Sequence, residues 1–332
     1  MDHQTEETLL KAIGHNDANV RKAAAIAIGK GESPSNHSLS ALLKLLKDKV
    51  WQVREAAIHS IGALNVSAAS EYLMGVLGAE DDAGARKAIL TWAAAKGDVE
   101  AKEAPGGGGG PLGGAAAKKK PEGEPWQIKR AAALALSKLR PDIAVAPLMA
   151  ALGAPNPAAK QAAMVGLGNI NAQQAIDTLV EMLADDDFNV RKMAATTLGK
   201  LKAVSAVPAL LPLLEDGKAA VRTEVVIALN HIKPDEAVEA LGRVVAQDAS
   251  YDVRKVAATA LGNLRSAEAT APLLAALGDD HPPVRKAAID ALVNLKASEE
   301  ADRLIPFFND PDEEVAAAAA IGYTRLDLLG GR

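Results

Sequence analysis

Apolar and polar positions along the chain follow one pattern that returns about every 31 residues. An apolar residue and a basic residue precede an Ala-rich stretch that often ends in Leu-Gly, as in VRKMAATTLGKL and VRKVAATALGNL. We call the basic residue the anchor, position 0. Apolar residues then fall at −1, +3, +6, +7 and +10, which lie on one side of an α-helix. The pattern therefore predicts an amphipathic helix in each unit.

The anchor position recurs along the whole chain with nearly constant spacing. It is occupied by Arg21, Arg54, Arg86, Lys129, Lys160, Arg191, Arg222, Arg254, Arg285 and Ala316. Successive spacings are 31 to 33 residues, except for 43 between the third and fourth anchors. Such regularity is the signature of a repeat architecture.

Each unit also contains a second apolar stretch, which precedes the anchored helix. It is short and Leu-rich, as in AVAPLMAAL and ATAPLLAAL, and a turn rich in Asp, Asn and Pro follows it. Asp17, Asp82, Asp187 and Asp312 lie four residues before the anchor and are predicted N-caps of the second helix. Because two helices cannot close a core alone, we predict a stack of about ten two-helix repeats, an all-α right-handed solenoid.

These two-helix units resemble HEAT repeats, in particular the short bacterial type named after phycobilin lyase subunits. The resemblance rests on the VRKAA-type segments and Leu-rich stretches quoted above and covers nearly all of the chain. It implies a superhelix of ARM/HEAT type, in which the second helices line a concave groove. Because this repeat serves many unrelated roles, the resemblance indicates the fold more closely than the function.

The long spacing contains the one irregular segment, PGGGGGPLGGAAAKKKPEGEP, from Pro105 to Pro125. Five consecutive glycines cannot hold a helix, so we predict a flexible insertion over residues 98–125 that removes most of the first helix of repeat 4. It separates repeats 1–3 (residues 1–97) from repeats 4–10 (residues 126–332). Two interpretations stay open: a tolerated surface insertion, and a hinge or segment that becomes ordered on a partner.

Composition narrows the chemistry that the chain can support. It has no cysteine, which excludes disulfides, thiolate metal sites and a cysteine nucleophile. The six histidines form no HxxxH, HxH or His-Glu pair, and the chain has no phosphate-binding loop or GxSxG elbow. We therefore predict no catalytic residue, no metal and no cofactor. The absence of a secretory signal or membrane-length apolar run favours a cytoplasmic location.

The recurring anchor arginines are interpreted as structural residues. We expect each to hydrogen-bond to the Asp-rich turn of an adjacent repeat, which would form a ladder along the stack; they are Arg21, Arg54, Arg86, Arg191, Arg222, Arg254 and Arg285. Trp51, Trp126, Phe188 and Tyr251 lie three residues before an anchor, and we expect each to pack over the preceding turn. An exposed stacking surface for nucleotide bases is the alternative.

The face opposite the apolar stripe supplies the candidate binding residues. Position +1 is basic in six of ten repeats, and position +5 is apolar in half of them. Position +8 is glycine in five repeats, and we expect it to flatten the groove floor so that another chain can come close. The candidate partner-binding residues are Lys87, Arg130, Val165, Lys192, Ile227, Lys255, Thr259 and Lys286.

A basic row beside an interrupted apolar row suits an acidic, amphipathic segment of a protein partner. Repeat copying of a soluble helix-forming lysine explains the row equally well. The leading prediction is a non-enzymatic adaptor or scaffold. Two alternatives are a bilin lyase or phycobilisome-related chaperone, as the family name implies, and nucleic-acid binding along the basic row. A net charge of −5 and 3% aromatic residues disfavour nucleic acid.

Overall fold

The computed structural model of the chain describes residues 3–31, 35–64, 73, 125–139, 141–153 and 157–330. These residues form α-helices and short 3₁₀ helices, with no strand among them. The chain divides into two compact units, residues 1–172 and 173–332. The predicted all-α solenoid of two-helix repeats is confirmed. The division predicted at the insertion stays a prediction, because residues 98–124 lie outside the described part.

The first unit contains three described first helices and four described second helices. The first helices are α1 (His3–Ile13), α3 (Asn36–Leu45) and α6 (Pro141–Leu152), and the second helices are α2 (Ala18–Gly29), α4 (Trp51–Ala63), α5 (Pro125–Leu139) and α7 (Pro157–Asn169). The second helices stack side by side, α2 on α4, α4 on α5 and α5 on α7.

The second unit contains five repeats in unbroken order. Its first helices are α8 (Ile176–Glu181), α10 (Val207–Leu210), α12 (Ala237–Gln247), α14 (Thr270–Ala276) and the 3₁₀ stretch Ser298–Asn309; its second helices are α9 (Phe188–Lys200), α11 (Ala219–Ile232), α13 (Tyr251–Leu264), α15 (Pro282–Leu295) and α16 (Glu313–Gly330). Short 3₁₀ turns flank α8 and α10 and precede α14. Pro208 lies in the first turn of α10, where a missing N–H costs little, and Pro212 lies in the 3₁₀ turn that follows, where its missing N–H cannot extend the α-helix.

Side chains and backbone geometry fix where the second helices begin and end. Asp17 and Asp187 accept a hydrogen bond from the backbone N–H two residues on, at 2.8 and 2.7 Å, and Asp312 accepts one from Glu314 N–H at 3.0 Å. These N-cap predictions are confirmed, whereas Asp82 lies outside the described residues. At position +11, Asn171, Lys202, Lys233, Arg265 and Lys296 adopt positive φ of 51° to 58°, which ends the helix at the same place in repeats 5–9.

The buried stripe of each second helix follows the predicted positions. In α13, Val253, Ala257, Ala260 and Leu261 are buried, while Leu264 at +10 is half-buried. Position +4 is buried as well, as at Ala258, so the stripe is wider than the sequence predicted. The small side chains at +3 and +6 let helices approach closely, which fills the core without aromatic residues.

Four of the +8 glycines, Gly29, Gly62, Gly199 and Gly262, lie against the next second helix. A Cβ added at Gly199 or Gly262 would stand 2.7 Å from the Cα of Ala228 or Ala291, each at +6 of the following second helix. The structure thus shows close approach of the chain's own helices at these glycines, and the approach of a partner chain to the groove floor stays a prediction. A helical wheel drawn around the core stripe ignores the second helix alongside, and that neighbour is what requires glycine here.

The same contact shows which helix follows α4. A Cβ at Gly62 would lie 3.0 Å from Cα of Ala135 in α5, so α5 occupies the position beside α4. Arg86 and Lys87 lie outside the described residues.

A ladder of ion pairs joins the turns of successive repeats. Five anchor arginines each donate through Nε and Nη2 to both carboxylate oxygens of an aspartate in the next repeat, at 2.6 to 3.1 Å. The pairs are Arg21–Asp48, Arg191–Asp216, Arg222–Asp248, Arg254–Asp279 and Arg285–Asp310. Bidentate pairs of this kind fix distance and orientation together.

Each internal aspartate of the ladder serves two arginines. The Asp248 carboxylate accepts from Arg222 of the preceding repeat, and its backbone carbonyl accepts from Arg254 Nη1 of its own repeat at 2.7 Å. Asp216 and Asp279 repeat this arrangement. Arg54 likewise donates to the carbonyl of Asp48 at 2.7 Å. One aspartate in the turn therefore hydrogen-bonds to the second helix of the preceding repeat and to the second helix of its own repeat.

The pKa values of the ladder aspartates lie below the ordinary value for aspartate. Burial alone would raise the pKa of Asp216, Asp248 and Asp279, but hydrogen bonds from arginine and from a backbone N–H outweigh it, and the pKa of each is lowered. The hydrogen bond from Arg285 is the main reason that the pKa of Asp310 is lowered. The folded chain therefore favours the charged form of these carboxyls.

Replacing Gly262 by valine should lower the free energy of unfolding by about 2–3 kcal/mol, because the added carbons collide with the backbone at Ala291. The control is Gly217→Val, in a turn where an added Cβ meets nothing within 4 Å; it should change stability by less than about 0.5 kcal/mol. Urea midpoints measure both. Equal midpoints for the two variants would contradict the close-approach interpretation.

Removing one ladder carboxylate should cost far more than removing an exposed one. Asp248→Ala leaves the largely buried Arg222 guanidinium without its carboxylate partner and should lower the free energy of unfolding by about 3 kcal/mol. Glu239→Ala, which breaks the exposed Glu239–Arg243 pair, should cost about 0.5 kcal/mol or less. Urea unfolding of both variants measures the difference, and a similar cost for the two would show that the ladder is not stabilising.

The ladder also predicts the direction of acid sensitivity. Because the folded-state pKa of these aspartates lies below the unfolded value of about 3.9, their contribution is complete above that pH. It is lost as pH falls through the folded values. Asp248→Asn removes one such group, so its stability should fall less steeply than wild type below about pH 4. Parallel curves of unfolding free energy against pH would contradict this assignment.

Candidate protein-binding surface

The solvent-facing sides of the second helices form a surface that we call the second-helix face. The predicted site residues in the second unit lie there: Lys192 on α9, Ile227 on α11, Lys255 and Thr259 on α13, and Lys286 on α15. Thr259 is exposed, and the other four side chains are half-buried. Positions +1 and +5 are about one helical turn apart. Each second helix therefore presents its +1 residue and its +5 residue on the same side.

The lysines of the basic row differ in their surroundings. Lys255 Nζ lies 3.2 Å from Asp252 Oδ1 of its own helix, and Lys286 Nζ lies 2.8 Å from Glu314 Oε2 of the next repeat. Among the described residues, no carboxylate lies within 4.0 Å of Lys192. In the second unit, two of the three predicted contact lysines are therefore already paired with a carboxylate of the chain itself.

One cavity brings three of the predicted residues together. It has a volume of about 470 Å³ and is lined by Lys255, Thr259 and Lys286, together with Asp290 and Asn294. Val165 lies half-buried on α7 of the first unit. Arg130 belongs to α5, but its side chain is not among the parts that the structure describes. Lys87 lies outside the described residues altogether.

Several residues of this surface were not selected from the sequence. A cavity of about 520 Å³ shares Lys286 and Asp290 with the first and adds Ile321 and Arg325. Ile321 is 55% exposed. Partial burial raises the pKa of Asp290, and the charges of Lys286 and Arg325 oppose that shift. Asp290 and Ile321 both occupy +5, so their position in the repeat was the signal that could have identified them.

The first unit carries its own cavity on the second-helix face. A volume of about 340 Å³ lies between α2 and α4 and is lined by residues that include Lys22, Ile26, Lys30, Glu55 and His59. Ile26 is 40% exposed. None of these residues was among the predicted contacts, although Lys22 and Ile26 occupy the same +1 and +5 positions.

The aromatic residue at −3 of repeat 8 contacts the following repeat. The Tyr251 ring stacks on His281, with centroids 4.7 Å apart and planes 9° from parallel. The ring thus contacts the turn of the next repeat, whereas its predicted packing over the preceding turn stays a prediction. Phe188 is 36% exposed, and the side chain of Trp126 lies outside the description.

The described residues provide neither a metal-binding cluster nor a membrane-spanning helix. No group of three or more histidine, aspartate or glutamate side chains there could hold a metal ion. None of the described helices is long and apolar enough to cross a membrane.

Comparison with solved structures shows the fold that this chain shares. Kap95p, solved with RanGDP, superposes with a TM-score of 0.60 at 16% identity, over 97% of this chain and 45% of that one. The protein YIBA_ECOLI gives 0.57 at 15%, over 91% and 96%. The CpcE–CpcF phycocyanin lyase complex of Nostoc gives 0.39 at 26%, over 45% and 98%. A search of curated proteins gave no match.

The repeat itself identifies the family. The pattern of HEAT repeats matches residues 4–93, 120–196, 176–248 and 240–323, which together span most of the chain. The ladder and the stacked second helices occur in the same repeats. The chain therefore belongs to the family of HEAT-repeat proteins.

Proposed function

We propose that this chain is a non-enzymatic scaffold that binds a protein partner on its second-helix face. The observation that carries the proposal is the cavity lined by Lys255, Thr259 and Lys286, with the exposed Ile321 in the adjoining cavity. Apolar floor positions beside charged side chains suit a peptide segment better than a small metabolite. Kap95p, which shares the fold, was solved with the protein RanGDP.

We further propose that the partner segment is acidic and amphipathic. Its carboxylates meet Lys192 and Lys255, and its apolar side chains meet Ile227 and Thr259. Lys255 and Lys286 contribute less than Lys192, because Asp252 and Glu314 already lie beside their ammonium groups. The unbroken repeats of the second unit hold these positions before binding, which lowers the entropic cost of association. Lys192 is the strongest attachment point, since no carboxylate of the described residues competes for it.

Reversing two charges tests the proposed surface. The double variant Lys192→Glu and Lys255→Glu should weaken partner binding about tenfold or more at low salt, with a smaller effect at high salt. Both positions face solvent, so stability should change by less than about 0.5 kcal/mol each. Affinity capture of the intact protein from its native lysate identifies the partner, and titration with that partner measures the change.

The matched control is the double variant Lys218→Glu and Arg243→Glu. It makes the same change in net charge at exposed positions outside the second helices, and it should retain wild-type affinity. Equal weakening by both double variants would indicate a non-specific charge effect. Unchanged affinity in the Lys192→Glu and Lys255→Glu variant, with its helices intact, would remove the second-helix face of this unit from the proposal.

A further inference from the structure

The cavity between α2 and α4 has walls with a regular spacing. Lys22, Ile26 and Lys30 line one side, and Glu55, His59 and Ala63 line the other. Each set advances by four residues, so each forms a ridge along its helix with about 6 Å between successive members. A groove between two such ridges has the geometry that accepts a ridge of a third helix.

The floor of the groove is apolar where a third helix would contact it. Gly29 and Ser60 meet there so closely that a Cβ on the glycine would clash with Ser60. Ile26 projects beside them and is 40% exposed. Ala56 and Ala63 complete the apolar lining. An exposed isoleucine above a floor of small residues offers a contact for one aliphatic side chain.

The charged residues of the groove indicate which kind of partner segment it favours. Among the described residues, Lys22 and Lys30 have no ion-pair partner, in contrast to Lys255 and Lys286 of the second unit. Glu55 lies across the groove at the same repeat position as Lys22, whereas Ala63 is the residue at the level of Lys30. The Lys30 end is therefore the more favourable one for a carboxylate, and Glu55 reduces the attraction at the Lys22 end.

We propose that the groove between α2 and α4 binds an amphipathic partner helix that carries an aliphatic residue flanked, four positions away on each side, by acidic residues. The aliphatic side chain contacts Ile26, and the acidic residues reach Lys22 and Lys30, which are about 12 Å apart along α2. The inference rests on the proposed function in assuming that second helices bind protein segments. It adds a separate site in the first unit with its own occupant.

A designed peptide pair tests this site on the full chain. One helical peptide has the pattern Glu-x-x-x-Leu-x-x-x-Glu with alanine and glutamine at x, and the other has lysine in place of both glutamates. Fluorescence anisotropy should show that the glutamate peptide binds and that the lysine peptide binds at least about tenfold more weakly at low salt. Equal binding of the two peptides, or no saturation by the glutamate peptide at about millimolar concentration, would overturn the proposal.

Variants of the chain then test the contribution of each groove residue to peptide binding. Lys30→Glu and Ile26→Ser should each weaken binding of the glutamate peptide about tenfold. Lys22→Glu should weaken it less, and Glu55→Gln should strengthen it about threefold, because that change removes a repelling charge. Lys44→Glu, at an exposed position of the first helix α3, is the control and should leave affinity unchanged.

A strengthened Glu55→Gln variant cannot arise from damage to the fold, so it distinguishes a binding role from a structural one. Weaker binding by that variant, or equal loss in Lys30→Glu and Lys44→Glu, would overturn the assignment. The Lys192→Glu and Lys255→Glu variant should bind this peptide normally. Failure of the proposed function in the second unit is therefore separable from failure of this site.

Discussion

The bidentate pair between an anchor arginine and the aspartate of the next repeat is the interaction on which the second-helix face depends. It fixes each second helix near its first turn, since Arg222 contacts both the Asp216 carbonyl and the Asp248 carboxylate. Farther along the same helices, the approach of Gly199 to Ala228 sets their separation. The ion pair and the glycine contact act at different points along the helix axis and together fix the orientation of adjacent second helices. Their exposed +1 and +5 residues are therefore aligned in rows.

Not every repeat has an aspartate at the acceptor position of the ladder. That position lies six residues before an anchor, and the sequence has Gly123 and Ala154 there in repeats 4 and 5, which carry no carboxylate. Among the described residues of the first unit, α4 and α5 meet through small residues such as Gly62 and Ala135. In the second unit, the anchor arginines of α9, α11, α13 and α15 each pair with such an aspartate.

The helices could be predicted from the sequence, whereas most contacts between repeats could not. Periodicity and capping chemistry identify the second helices and the N-caps Asp17 and Asp187, because both depend on residues close in the chain. The recurrent aspartate six residues before the anchor was visible in the sequence as well. Spacing could not show that α5 packs beside α4, because that contact depends on how closely Ala135 approaches Gly62 in space. The pair of Lys286 with Glu314 depends likewise on a residue particular to the last repeat.

Such local partners decide what the repeated lysine at +1 can do. Copying a repeat copies the lysine, but each copy acquires neighbours that belong to its own repeat. Lys255 and Lys286 are paired with Asp252 and Glu314, while the Lys22 ammonium has no ion-pair partner among the described residues. A row that looks like one basic surface in the sequence is therefore a series of positions with different charge balances. A partner of the kind we propose would be selected by the residues around the recurring +1 position, and not by that position alone.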